Sequence, residues 1–329
     1  MRRGWLACVI ATYATGTALA QAPDSQSTSE QTLQEVTVTA TRAQDHRTLA
    51  HAVSGFVESH SAPGARINQL GRWHANVCPL VTGLQPQGAD FVTRDILNVA
   101  RAIGAPTGSV GKKCPITVEI VFTREPQALL DRIAKAFRPL LGFYPAAQIK
   151  QVATFSRPIQ AWYETGTRSM EVEMPIPGMG KSSGDQSFGT GPGSDPPLLS
   201  GGQIDSDVSA MGMQPSGVAG SYLGHRVRSE FVHVLIIADS GQLARYSMQS
   251  IADYMAVLSL TRMSQLDHCA PLPSITDLLA NGCNTPVAGS LTAADRAYLK
   301  ALYSADLEQN LNVERGDVHE QMMRAIEGK

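Results

Sequence analysis

Ile116-Thr-Val-Glu-Ile-Val-Phe-Thr123 and Phe231-Val-His-Val-Leu-Ile-Ile-Ala238 decide the fold class. Each is a β-branched, near-continuous apolar run, too apolar on both sides to face water. Such runs belong to buried strands that share one sheet. Around them the period changes to that of helices. Val92, Ile96, Val99 and Ile103 recur at helical spacing and stop before Gly104 and Pro106. After the Arg124-Glu125-Pro126 turn, Leu130, Ile133 and Phe137 repeat the pattern with Pro126 in the first turn. Gln151 to Tyr163 is strand-like, interrupted at Pro158.

Beyond the second run, Ser247 to Arg262 reads as a helix with Met248, Ile251, Met255 and Leu258 inward. Thr292 with Asp295 forms a capping-box start for a helix reaching Tyr303. A last helix near 317–327 aligns Val318, Met322 and Ile326. The expectation is an α+β fold: a single mixed-sheet domain with several helices over 51–329. It carries a Gly/Pro/Ser-rich insertion at about 175–224, where neither period survives and disorder is expected.

Composition removes some functions. With 27 Lys+Arg against 29 Asp+Glu, the net charge of -2 supplies no basic field for nucleic acid. Arg2 and Arg3, an apolar stretch to Thr17 and Ala18-Leu19-Ala20 read as a signal peptide over 1–20. Export to the periplasm or beyond is the expectation, and no later apolar segment is long enough to span a bilayer. Cys78, Cys114, Cys269 and Cys283 then remain, an even number in an oxidising compartment. Four cysteines allow three connectivities. Pairing Cys78 with Cys114 and Cys269 with Cys283 closes a modest loop in each half of the chain. No C-x-x-C or H-E-x-x-H spacing marks a metal site, so neither metal nor cofactor is expected.

Few residues point to chemistry. Gly178-Met-Gly-Lys-Ser-Ser-Gly184 mimics both a nucleophile elbow and a phosphate loop, but no strand or helix flanks it. His225 and His233 would share one side of an extended segment. Trp162 and Tyr163 beside Glu164 are candidates to line a groove, in which Glu164, Glu171 or Asp253 would serve as acid or base. Residues 21–50 form a polar arm, expected to be mobile. Within it Glu35-Val-Thr-Val-Thr-Ala-Thr-Arg42 alternates as an extended strand would.

That segment resembles the TonB box of TonB-dependent outer-membrane transporters. The resemblance implies docking to an envelope protein through Glu35, Val36, Val38 and Arg42, although the chain is too short and too poor in aromatics to supply their barrel. The order from strand 231–238 through helix 247–262, the Pro273-Ser-Ile-Thr276 turn and Leu291-Thr-Ala-Ala-Asp295 to Ala301-Leu-Tyr303 resembles the C-terminal half of metzincin-type metalloproteases. Because no residue from Ser247 to Met263 is His or Glu, it implies a degenerate scaffold without that family's zinc ligands. Cys78-Pro-Leu-Val-Thr-Gly-Leu84, Pro158-Ile-Gln-Ala-Trp-Tyr163 and Ala252-Asp-Tyr-Met-Ala-Val-Leu258 are similar to a group of exported bacterial proteins, which brings no activity. The combined expectation is an exported, non-catalytic binding or scaffold protein of the cell envelope. The alternative is an extracytoplasmic hydrolase working through carboxylates in a groove.

Overall fold

The computed structural model describes residues 27–108, 114–142, 144–170, 226–283, 287–306 and 309–328, with 27–43 as backbone alone. The leader at 1–20, the Gly178–Gly184 motif, His225, Glu171 and the 175–224 insertion lie outside the described residues. The chain divides into two units, Met1–Leu49 and Ala50–Lys329. In the first, all the described residues are helical. They belong to α1 (Ser27–His60), so Glu35, Val36, Val38 and Arg42 are in a helix and not in the expected extended strand. Alternating Val-Thr pairs are outweighed there by the Ala, Gln, Glu and Arg around them. Once a helix is nucleated, each added residue gains a hydrogen bond at little further cost.

In the second unit the elements after α1 are β1 (Pro79–Thr82), α2 (Pro86–Ile103), β2 (Val118–Thr123), α3 (Pro126–Ala136), the single turn α4 (Ile149–Val152), β3 (Ile159–Met170) and β4 (Arg226–Asp239). The turn α5 (Ser240–Leu243), α6 (Met248–Leu260), α7 (Ala293–Ser304) and α8 (Leu311–Glu327) complete it. The four strands form one sheet in the order β1-β2-β4-β3. β1, β2 and β4 are parallel, whereas β3 pairs antiparallel with β4 at the edge, so the fold is α+β with a mixed sheet.

The two diagnostic runs are the two central strands. Ile120 pairs with Ile236, and both are sealed because helices cover the two faces. On one face α3 brings Leu129, Leu130 and Ile133 against Val121, Trp162, Leu235 and Ile237. On the other, α6 is buried along almost its whole length, with Ile251, Met255 and Leu258 inward; Met248, in its first turn, is exposed. In α8 Val318 and Met322 are buried, but Ile326, in the last turn, is exposed. Gly83 ends β1 with φ +81°, and a Cβ there would sit 1.9 Å from the Phe122 carbonyl oxygen, so only glycine permits the turn into α2.

Two buried carboxylates fasten the helices. Asp295 accepts from Thr292 N at 2.9 Å and from Ile275 N at 2.9 Å, closing the start of α7 and the neighbouring 3-10 turn together. Glu314, fully buried in the first turn of α8, accepts from Leu70 N at 2.6 Å and Gln309 N at 3.3 Å. It thereby ties the 61–72 segment to α8. Cys78 lies 5.9 Å from Cys114 and Cys269 lies 5.5 Å from Cys283 between Cα atoms, and both pairs are disulfide-bonded. No helix among the described residues is long and apolar enough to cross a membrane.

Candidate functional site

A cleft of about 490 Å³ opens where α2, α6 and α7 meet. The inward stripe of α2 is spent on the core, which leaves the flank carrying Asp95, Asn98 and Val99 toward the cleft. Ser247 caps α6 by accepting from Ser250 N at 3.1 Å, and Ser250 Oγ donates to Gly289 O at 2.7 Å. Those bonds place Gln249 and Asp253 at one wall, with Ser290 and Leu291 beside them. Arg296 and Lys300 of α7 complete the lining.

Asp253 is the one charged residue in α6 and is 5% exposed. Burial of such a group demands donors, and it has them. Its Oδ2 accepts from Leu291 N at 3.0 Å and from Gln249 Nε2 at 3.1 Å. The same amide nitrogen lies 3.3 Å from Asp95 Oδ1, so Gln249 bridges two carboxyl groups. Burial raises the pKa of Asp95 above the usual carboxylate range, and the negative charge of Asp253 raises it further against the opposing hydrogen bond from Gln249. Asp95 Oδ2 is buried with no donor. The arrangement sets two carboxyl groups, bridged by Gln249, beside two cationic side chains. Arg296 is partly committed, since its NH1 donates to Leu291 O at 2.5 Å.

The fold also gathers a serine, a histidine and a carboxylate, and their order excludes nucleophilic catalysis. Ser274 Oγ donates to Asp295 Oδ1 at 2.6 Å, while His60 Nε2 is 3.3 Å from the same hydroxyl. An activating base would have to take the serine proton, but here the proton is directed to Asp295. All three residues are 1% exposed or less. Burial lowers the pKa of His60 to about 4, so a neutral ring sits in the core with Nδ1 2.9 Å from Phe56 O. The set is a structural network, sealed from any substrate.

Trp162, Tyr163 and Glu164 do not form the expected groove. Neighbours in a strand point to opposite faces, and all three are buried. Trp162 packs under α3 with its Nε1 2.9 Å from Val152 O; Tyr163 turns to α6, its hydroxyl donating to Leu258 O at 2.8 Å. Of the three carboxylates put forward from the sequence, Asp253 lines the cleft and Glu164 is buried on β3. Asp95, the partner of Asp253, was missed because a helix flank of charged residues reads as a solvated face. The available signal was Asp253 itself, a lone acid in an otherwise uncharged apolar helix.

Comparison with protein-family models, with curated proteins and with solved structures found no match.

Proposed function

We propose that this chain is an exported binding protein of the cell envelope whose α2–α6–α7 cleft holds a small polar ligand. The observation that carries the reading is the convergence of a carboxyl pair and two cationic side chains on one cleft. Two disulfides support an oxidising compartment, periplasmic or extracellular. The order β4, α6, 3-10 turn and α7 supports a metzincin-like scaffold that lacks zinc ligands on its central helix. An envelope partner engaging 35–42 belongs to the same reading and requires the helix there to be recognised or unwound.

The acid pair favours one second reading. Two neighbouring carboxyls, one with its pKa raised by burial, are the apparatus of general acid–base hydrolysis, which makes an extracytoplasmic hydrolase the alternative. One experiment separates the two. Amino acids, sugars and short peptides are screened for thermal stabilisation of the disulfide-intact protein, and each hit is followed over hours for turnover. A binding protein gives stabilising ligands that survive intact and lose their effect in Asp95→Asn and Lys300→Ala. Turnover abolished by Asp95→Asn establishes the hydrolase instead. Hits indifferent to both substitutions would remove the cleft from either reading.

A further inference from the structure

The α3 side of the sheet carries three ionisable groups that no helix fastens. Glu164 of β3 stands directly opposite His233 of β4, and Glu119 of β2 is paired with Leu235, two residues along β4 from His233. Trp162, Leu235 and Val121 all belong to the cluster under α3. Strand alternation therefore sets Glu164, His233 and Glu119 on that same face, just beyond the end of the apolar cluster. Cross-strand neighbours on one face come within about 5 Å at Cβ and diagonal ones within about 8 Å, so the three form one patch.

Glu119 is 3% exposed and Glu164 6% exposed, yet Glu119 Oε1, Glu164 Oε1 and His233 Nδ1 are buried with no hydrogen-bond partner. A buried polar atom left unpaired costs about 1–3 kcal/mol, so three in one patch call for a common explanation. Burial raises the pKa of both glutamates, with the charge of Arg66 opposing it at Glu164, and lowers that of His233 to about 4. Burial thus disfavours the charged form of each group.

The strand pairing is irregular at the edge of the patch. Glu164 pairs with His233 but Thr165 with Phe231, so Val232 bulges out of register and is 45% exposed. Gly166, the register partner of Glu230, lies close by, and a Cβ there would come 2.9 Å from Val232 Cγ2. The glycine thus makes room for the Val232 side chain at the edge of the patch.

We propose that Glu119, Glu164 and His233 form a site for a small organic cation carrying a guanidinium or amine. The three orphan atoms are acceptors or can act as such, so the complement must bring several N–H donors and positive charge. Among the described residues no three His, Cys, Asp or Glu groups converge closely enough to hold a metal ion. Acceptors spread along a face suit a ligand whose donors are spread likewise. The site is distinct from the α2–α6–α7 cleft.

L-arginine amide is the probe, titrated calorimetrically into the full disulfide-intact protein, with L-citrulline amide as its uncharged counterpart. Saturable binding of arginine amide is expected, and citrulline amide should be weaker by about tenfold or more, the loss of one charge-assisted bond. Glu119→Gln and Glu164→Gln should each weaken arginine amide by a similar factor while melting at or above the wild-type temperature, which shows that they fold. Asp95→Asn should bind it as wild type does. The proposal is overturned if arginine amide gives no saturable binding, if citrulline amide or the double Gln variant binds equally well, or if only a long oligoarginine peptide binds. Loss in Asp95→Asn instead would assign the cation to the cleft and likewise overturn it.

Discussion

Replacing Glu314 with glutamine should flatten the pH dependence of stability above pH 5. Glu314 is fully buried, and burial pushes its pKa up to about 7 from 4.5, with Asp306 adding to the effect. The backbone N–H groups of Leu70 and Gln309 and the charge of Arg72 oppose the rise without cancelling it. Between pH 4.5 and 7 the native carboxyl keeps a proton that the unfolded chain releases. Stability from this group is therefore complete below pH 4.5 and lost as pH climbs through 7. At 1.36 kcal/mol per pKa unit, the loss is on the order of 3 kcal/mol. The glutamine of Glu314→Gln cannot ionise but keeps an oxygen for Leu70 N. Urea unfolding of both proteins at half-unit steps from pH 4.5 to 8 gives a difference curve in which every other titrating group cancels. The wild type should lose on the order of 3 kcal/mol relative to the variant across that range. A flat difference curve would refute the reasoning. So would a variant that weakens as pH rises, because the carboxylate would then be stabilised by its two N–H donors and not penalised by burial.

Asp295→Ala removes the acceptor for Ile275 N, Thr292 N and Ser274 Oγ at once, so it should cost about 3 kcal/mol or more in urea unfolding. Cys269→Ser with Cys283→Ser opens a loop whose ends are 14 residues apart and should cost about 3 kcal/mol in the chain-entropy model, read as a lower denaturation midpoint at unchanged slope. An unchanged midpoint would mean that the loop from Leu266 to Cys283 is held by its own contacts, such as the Arg157–Asp267 ion pair.

The parts of the fold that were legible are those in which one residue type has one use. β2 and β4 are apolar on both faces because both faces are covered, and Thr292 with Asp295 capped α7 as the spacing predicts. Helix α6 was readable as an element, but its burial on nearly all sides weakens the period, and Met248 fell on the wrong side. Residues 35–42 carried a period of two within a helix, since alternation without an apolar face to bury has no packing energy to enforce it. In the site, Asp253 was visible and Asp95 was not. Their pairing joins α2 to α6 across 158 positions, a relation that only tertiary structure creates. Trp162, Tyr163 and Glu164 misled by adjacency: in a strand, consecutive residues are the ones that cannot meet. Glu119 and His233 each stood alone in an apolar run, and that isolation was the trace of the patch they share.

The edge pairing of β3 with β4 bears on how this chain can change length. Met170 is the register partner of Arg226, so the 55 residues counted from 171 through 225 leave and re-enter the sheet at adjoining points. Closing a connection of that length costs only about 2 kcal/mol more than closing one of five residues, because the entropy grows as the logarithm of length. The pairing that spans β3 and β4 is formed by residues on the near side of that junction. A change in the length of the 171–225 connection therefore adds little to the cost of closing it, and the register that aligns Glu164 with His233 lies outside it.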